Sequence, residues 1–168
     1  MVSTVDIQIA TADDATKVTD VLKVSYQKLM KLAYNDDILR RALPAIARAN
    51  SKLLDSGTYY VARHSSGLVV GCGGWTAEKP GTTEINPGVG HIRHFAVDPR
   101  WIRQGIGRQI YQACETQARS NNIVIFDVFS SLNARSFYAS LGFDEIEEIN
   151  VAVGSGITLP GIWMRRSI

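Results

Sequence analysis

The residues best equipped for chemistry lie in one stretch, Val97-Asp98-Pro99-Arg100-Trp101-Ile102-Arg103-Gln104-Gly105-Ile106-Gly107-Arg108. An alternating apolar run, Ile92 to Val97, enters it and reads as a strand. An amphipathic run, Ile106 to Ala118, leaves it and reads as a helix. The loop between them holds Gly105 and Gly107 beside Arg100, Arg103 and Arg108. Where a glycine-rich turn becomes a helix, backbone N–H groups stand unpaired and the helix dipole adds positive charge. That combination suits a phosphate or pyrophosphate, and Arg103 and Arg108 can add charge-assisted hydrogen bonds. A dinucleotide-binding turn is the first comparison. It would need a third glycine where Ile110 stands, and a loop that follows the strand more closely. Asp127, about 20 residues past Gly107, would be its ribose-binding acid.

The residues agree better with another pattern. Val97-Asp98-Pro99 followed by Gly105-Ile106-Gly107 resembles the acyl-CoA loop of the GNAT (GCN5-related) N-acetyltransferase superfamily, although Ile102 stands where that loop opens with Arg or Gln. Asn133-Ala134-Arg135-Ser136-Phe137-Tyr138-Ala139-Ser140-Leu141-Gly142-Phe143 resembles the later motif of the same family. The resemblance spans about His91 to Phe143.

It implies an acetyl-CoA cosubstrate. The backbone of Phe95, Ala96 and Val97 would pair with the pantetheine arm as an extra strand does. The N–H groups of Gln104, Gly105, Ile106, Gly107 and Arg108 would take the pyrophosphate. Asn133 would bond the arm or a bridging water, and Tyr138 would stand near the sulfur as general acid. A backbone N–H near Val97 would stabilise the oxyanion. Several family members carry a glutamate where this chain has His91, so His91 is the candidate general base, with Glu84 a weaker one. Strand alternation places His91 with Arg93 and Phe95 on one face. It sends His94 to the other face, as a structural residue.

Acetyl transfer to an amine needs a neutral amine, a stabilised oxyanion and a protonated leaving thiolate. A lysine-like amine with pKa about 10.4 must shed its proton, which an α-amine near 8 does more readily. The expected reaction is direct attack by a primary amine, on a small molecule or a peptide, in a ternary complex. A catalytically idle acyl-CoA binder and another nucleotide-binding module are the rivals.

These residues need a scaffold. The chain has 168 residues, 45% of them hydrophobic, and a net charge of +2. That is a typical size for one domain, taken as 1–168, and too little positive charge to argue for nucleic acid. Adjacent basic pairs occur only at Arg40-Arg41 and Arg165-Arg166. No leader-like start or membrane-length apolar run is apparent. Cys72 and Cys114 fit no metal spacing and read as buried, reduced thiols of a cytoplasmic protein. No metal is expected.

Val5, Ile7 and Ile9 alternate as a first strand. Thr11 to Asp14 opens a helix in capping-box fashion, with Val18, Val21, Leu22, Tyr26 and Leu29 as its stripe. A second helix carries Leu39, Leu43, Ile46 and Leu53, with Pro44 kinking it or ending its first turn. Thr58 to Arg63 and Leu68 to Trp75 form a hairpin around a solvated His64. Glu78 to Gly88 is a loop. Gly90 to Val97 and Ile123 to Phe129 flank the helix that carries Ile106, Ile110, Ala113, Cys114 and Ala118. A short helix ends at Gly142. A strand pair, Phe143 to Val153 and Ile157 to Met164, closes around Gly154-Ser155-Gly156. This order implies an α/β (α+β) fold with a mixed sheet of about seven strands and about four helices on both faces. The resemblance adds that the strands at Gly90–Val97 and Ile123–Phe129 splay apart, and that the family often forms dimers, here a homodimer.

Overall fold

The structure, a computed structural model, describes residues 4–154 and 156–168. Its strands are β1 (Val5–Ile9), β2 (Tyr59–His64), β3 (Val69–Thr76), β4 (Val89–Val97), β5 (Ile125–Ser131), β6 (Asp144–Gly154) and β7 (Ile157–Ser167). The α-helices are α1 (Ala15–Leu29), α2 (Asp36–Ile46), α3 (Ser51–Asp55), α4 (Ile106–Ser120) and α5 (Arg135–Ser140). The strands form one sheet in the order β1-β2-β3-β4-β5-β7-β6. All neighbours are antiparallel except β4 and β5, which run parallel because α4 returns the chain between them.

Apolar layers cover both faces. On one face Ile106, Ile110, Cys114 and Ala118 of α4 pack on Val70, Ile92, Phe126 and Val128. On the other, Val18, Val21 and Leu22 of α1 pack with Leu53 and Leu54 on Tyr59, Val61, Val69 and Cys72. Strand β2 serves both layers, so its run Tyr59-Tyr60-Val61-Ala62 is buried without a break. Both cysteines are free and buried, and burial raises the Cys72 thiol to about 12.

Several elements differ from the sequence reading. The second helix is two helices, α2 and α3. Helix α2 ends at Ile46, within a turn of Pro44, and Asn50 caps α3 by accepting from the N–H groups of Lys52 and Leu53. Leu53 therefore belongs to α3, not to the stripe of Leu39 and Leu43. The stripe of α4 includes Tyr111, fully buried against Phe126 and Phe143. The His64 ring packs on Trp101 with centroids 5.0 Å apart. In the final turn Gly154 and Gly156 are both left-handed, while Ser155 lies outside the described residues.

Candidate functional site

Strand pairing creates the site by stopping. β4 and β5 pair only at Val89–Ile125, Gly90–Phe126 and His91–Asp127. Beyond His91 they diverge, so Ile92–Val97 presents an unpaired edge to the gap. The cleft measures about 1440 Å³ and takes in His91–Val97, Asp127–Ser131, Asn133, Phe137 and Tyr138. Pockets for drug-sized ligands run roughly 300–1,000 Å³, so there is room for two molecules to meet.

A bulge in β4 shapes this edge. Cys72 pairs with Ala96 and Gly74 with Arg93, so His94 and Phe95 together oppose Gly73. His94 takes a left-handed φ of 48°. A Cβ on Gly73 would lie 2.4 Å from the Phe95 ring, so only glycine admits that ring. The bulge overturns the simple alternation. Phe95 sits on the α4 and α5 face, 6.3 Å between ring centroids from both Phe137 and Tyr138. It does not share the face of His91. His94 lines the same cleft as His91 rather than lying apart from it.

Hydroxyls from the opposite layer pin the bulge. Tyr59 Oη donates to the His94 carbonyl at 2.8 Å, and Tyr26 Oη to the Phe95 carbonyl at 3.4 Å. One backbone group of the expected arm-pairing residues is thus already engaged. Tyr26 lies on the apolar stripe expected of α1 and also carries this hydroxyl. The available signal was that a buried tyrosine must place its hydroxyl on a partner.

Past β4, the buried Asp98 accepts from the Arg100 N–H at 2.9 Å and pairs with its guanidinium at 2.7 Å, which holds the Asp98 carboxyl below the usual carboxylate range. Arg103 and Gly105 then take left-handed φ values of 62° and 78° before α4 begins. The first α4 bond runs from the Gln109 N–H to the Gly105 carbonyl at 3.0 Å. The N–H groups of Ile106, Gly107 and Arg108 are therefore left without intrahelical acceptors. Gly107, unlike Gly105, has no left-handed φ. Its missing side chain instead makes room for Phe137, whose Cε2 would lie 3.0 Å from a Cβ there. Gly107 and Ile102 line the cleft, whereas Arg103, Gln104, Gly105 and Arg108 are exposed and outside the lining. Arg108 reaches the Ser140 carbonyl at 3.3 Å. The Ile106 side chain is core.

Tyr138 lines the cleft from α5, its ring held edge-on by Phe137 at 5.0 Å and Phe143 at 5.6 Å. Burial raises its pKa, so it stays a phenol through the neutral range. Asn133 lies in the short turn before α5, and its side-chain oxygen is buried without a partner.

His91 occupies a row running across three strands. It stands opposite Asp127 in β5, which stands opposite Arg165 in β7. Arg165 grips Asp127 with both arms, at 2.6 and 2.8 Å. Burial lowers the His91 pKa against the pull of Asp127, and Nε2 is buried without a partner. His91 is thus neutral at neutral pH. Arg93, Phe129 and Trp163 also line this end of the cleft. Neither Trp163 nor the ion pair emerged from the sequence, where Arg165-Arg166 was only a basic pair. As strand neighbours they separate, Arg166 donating to Tyr111 Oη at 2.8 Å. Glu84 lies in the exposed 77–88 loop and does not line the cleft. No described helix is long and apolar enough to cross a membrane.

Solved structures share this architecture along the whole chain. A GCN5-related N-acetyltransferase from Rhodopseudomonas palustris is 22% identical, with TM-score 0.78, covering 100% of this chain and 98% of that one. The PaiA N-acetyltransferase of Thermoplasma acidophilum, solved with coenzyme A, is 14% identical with TM-score 0.74, covering 98% and 99%. A GNAT family acetyltransferase of Brucella melitensis, solved with acetyl-CoA, is 17% identical with TM-score 0.60, covering 99% and 89%. No curated protein matches the chain. The acetyltransferase (GNAT) domain family matches residues 33–159, from just before α2 through the splayed strands into β7, and the chain belongs to that acetyltransferase family.

Proposed function

We propose that residues 1–168 act as one catalytic domain, which transfers the acetyl group of acetyl-CoA to a primary amine by direct attack in a ternary complex. The observation that carries the reading is the divergence of β4 from β5 after His91, with Tyr138 and His91 lining the one cleft it opens. When bound, the thioester supplies the activated acyl group.

The chain's own groups supply the rest. The free edge of Phe95, Ala96 and Val97 receives the amides of the pantetheine arm, and the buried Asn133 oxygen finds a donor there. The unpaired N–H groups at the start of α4 bind the pyrophosphate, with Arg103 and Arg108 adding charge at the exposed mouth. A backbone N–H near Val97 meets the charge that grows on the carbonyl oxygen. Tyr138, kept protonated by burial, gives its proton to the departing sulfur. His91, kept neutral, takes a proton from the amine directly or through water. Both cysteines are buried, which favours direct attack over an acyl-enzyme.

The test is thiol release from acetyl-CoA across a panel of small amines, amino acids and peptide amines, with initial rates varied in both substrates. Intersecting double-reciprocal lines are expected. Tight acetyl-CoA binding with no turnover on any amine would leave a non-catalytic acyl-CoA binder. Parallel lines would replace direct attack with a covalent intermediate.

A further inference from the structure

The His91 end of the cleft has an unbalanced set of charges. His91 and Arg93 are two residues apart on β4, a separation of roughly 6.6 Å at the usual strand rise. Both leave the face opposite Ile92, whose side chain packs into the α4 layer. Arg93 is half-buried and lines the cleft. Among the described residues its hydrogen bond is Nη1 to Thr76 Oγ1 at 3.1 Å, and no carboxylate pairs with it. The rest of its fork is left for a ligand. Trp163 Nε1, a donor with no acceptor capacity, is buried here without a partner. Lys79 adds a further positive charge to the field at His91. Arg165 adds little, because Asp127 already holds it. Glu78 is the carboxylate whose charge acts on Arg93, without forming an ion pair with it, and Glu147 stands exposed on the cleft wall in the edge strand β6.

A half-buried guanidinium without a carboxylate is costly unless its ligand brings one. We infer that the acceptor is a small amine bearing a carboxylate, which the Arg93 fork takes while the amino group turns toward His91; this rests on the transferase reading above. A purely cationic amine would enter against Arg93 and Lys79. A zwitterion offers its anion to Arg93. The same cations favour the neutral form of the amine that must attack.

Matched acceptors test this: the free amino acids, short ω-amino acids, and the carboxamide of each. Turnover is read as kcat/KM. Binding is read as thermal stabilisation of the CoA-loaded protein. Carboxylates should exceed their amides by on the order of 10- to 100-fold, the range for a charge-assisted pair. Arg93→Gln should erase that preference and Arg93→Lys should restore part of it, with acetyl-CoA affinity retained in both. The inference falls if acid and amide are equal in turnover and in binding. It also falls if Arg93→Gln lowers both members of each pair alike. Turnover restricted to carboxylate-free amines would overturn it while leaving the transferase standing. Failure of every amine despite bound acetyl-CoA would count against the transferase reading itself.

Discussion

Replacing Tyr138 with phenylalanine separates chemistry from packing. The ring is buried and held edge-on by Phe95, Phe137 and Phe143, and phenylalanine keeps every one of those contacts. Tyr138 lines the cleft, and among the described residues its hydroxyl makes no hydrogen bond, so its removal breaks none there. A typical buried hydrogen bond contributes about 1 kcal/mol. With none lost, stability should change by less than about 0.5 kcal/mol, or under about 2 °C in Tm for a chain of this size. The reaction should suffer far more. A positioned general acid contributes roughly 10²- to 10⁴-fold, so a 100-fold fall in kcat corresponds to about 2.7 kcal/mol of barrier. Affinity for acetyl-CoA should stay within about threefold, because the proton moves only as the thiolate leaves. Stopped-time thiol release gives kcat, calorimetric titration gives the acetyl-CoA affinity, and a thermal melt gives stability. A kcat near that of the unaltered protein would remove Tyr138 from proton transfer. A large fall in Tm would mean that the hydroxyl holds the core, and the rate loss would lose its meaning.

Three further outcomes follow from the bulge and the cleft histidines. Gly73→Ala places a Cβ against the Phe95 ring, and should cost about 2 kcal/mol or more by overpacking; it should lower kcat too, since Phe95 supports Tyr138, and unchanged melting and turnover would show that the ring has room to move. His94, held near 4 by burial against an unfolded value of 6.5, stabilises the neutral fold fully above pH 6.5 and loses that contribution as pH falls toward 4. The difference is up to about 3 kcal/mol, so denaturant titrations should show a flatter acid loss for His94→Gln than for the native chain. His91 has a pKa shifted the same way, and the acid limb of kcat/KM should lie below 6.5 if it takes the amine's proton. A limb above that value would reject it.

Much of the architecture was legible because local patterns carried it. Parallel pairing of β4 and β5 followed from the amphipathic run between two strands, whereas the roles given to Tyr138 and Asn133 rest on the resemblance of Asn133 to Phe143 to a family motif. The break between α2 and α3 is hidden because Leu53 continues the apolar period of Leu39 and Leu43, and only the Asn50 cap marks it. Strand alternation gives the wrong face for Phe95 because a bulge adds one residue to one strand only. Nothing in Arg93-His94-Phe95 announces it; the glycine that permits it is 22 residues away on β3.

The sequence by itself determined most of the strands and helices, where the glycine turn opens a helix, and that an amide precedes the next one while an aromatic hydroxyl lies within it. Those are properties of neighbours along the chain, set by periodicity, capping and φ preference. Only the tertiary structure decided that β4 and β5 part after His91, that His94 turns into the cleft with it, and that Arg165 spends its charge on Asp127 while Arg93 keeps its own. Those outcomes depend on register between strands remote in sequence, and register is settled by packing across the sheet rather than by any segment alone.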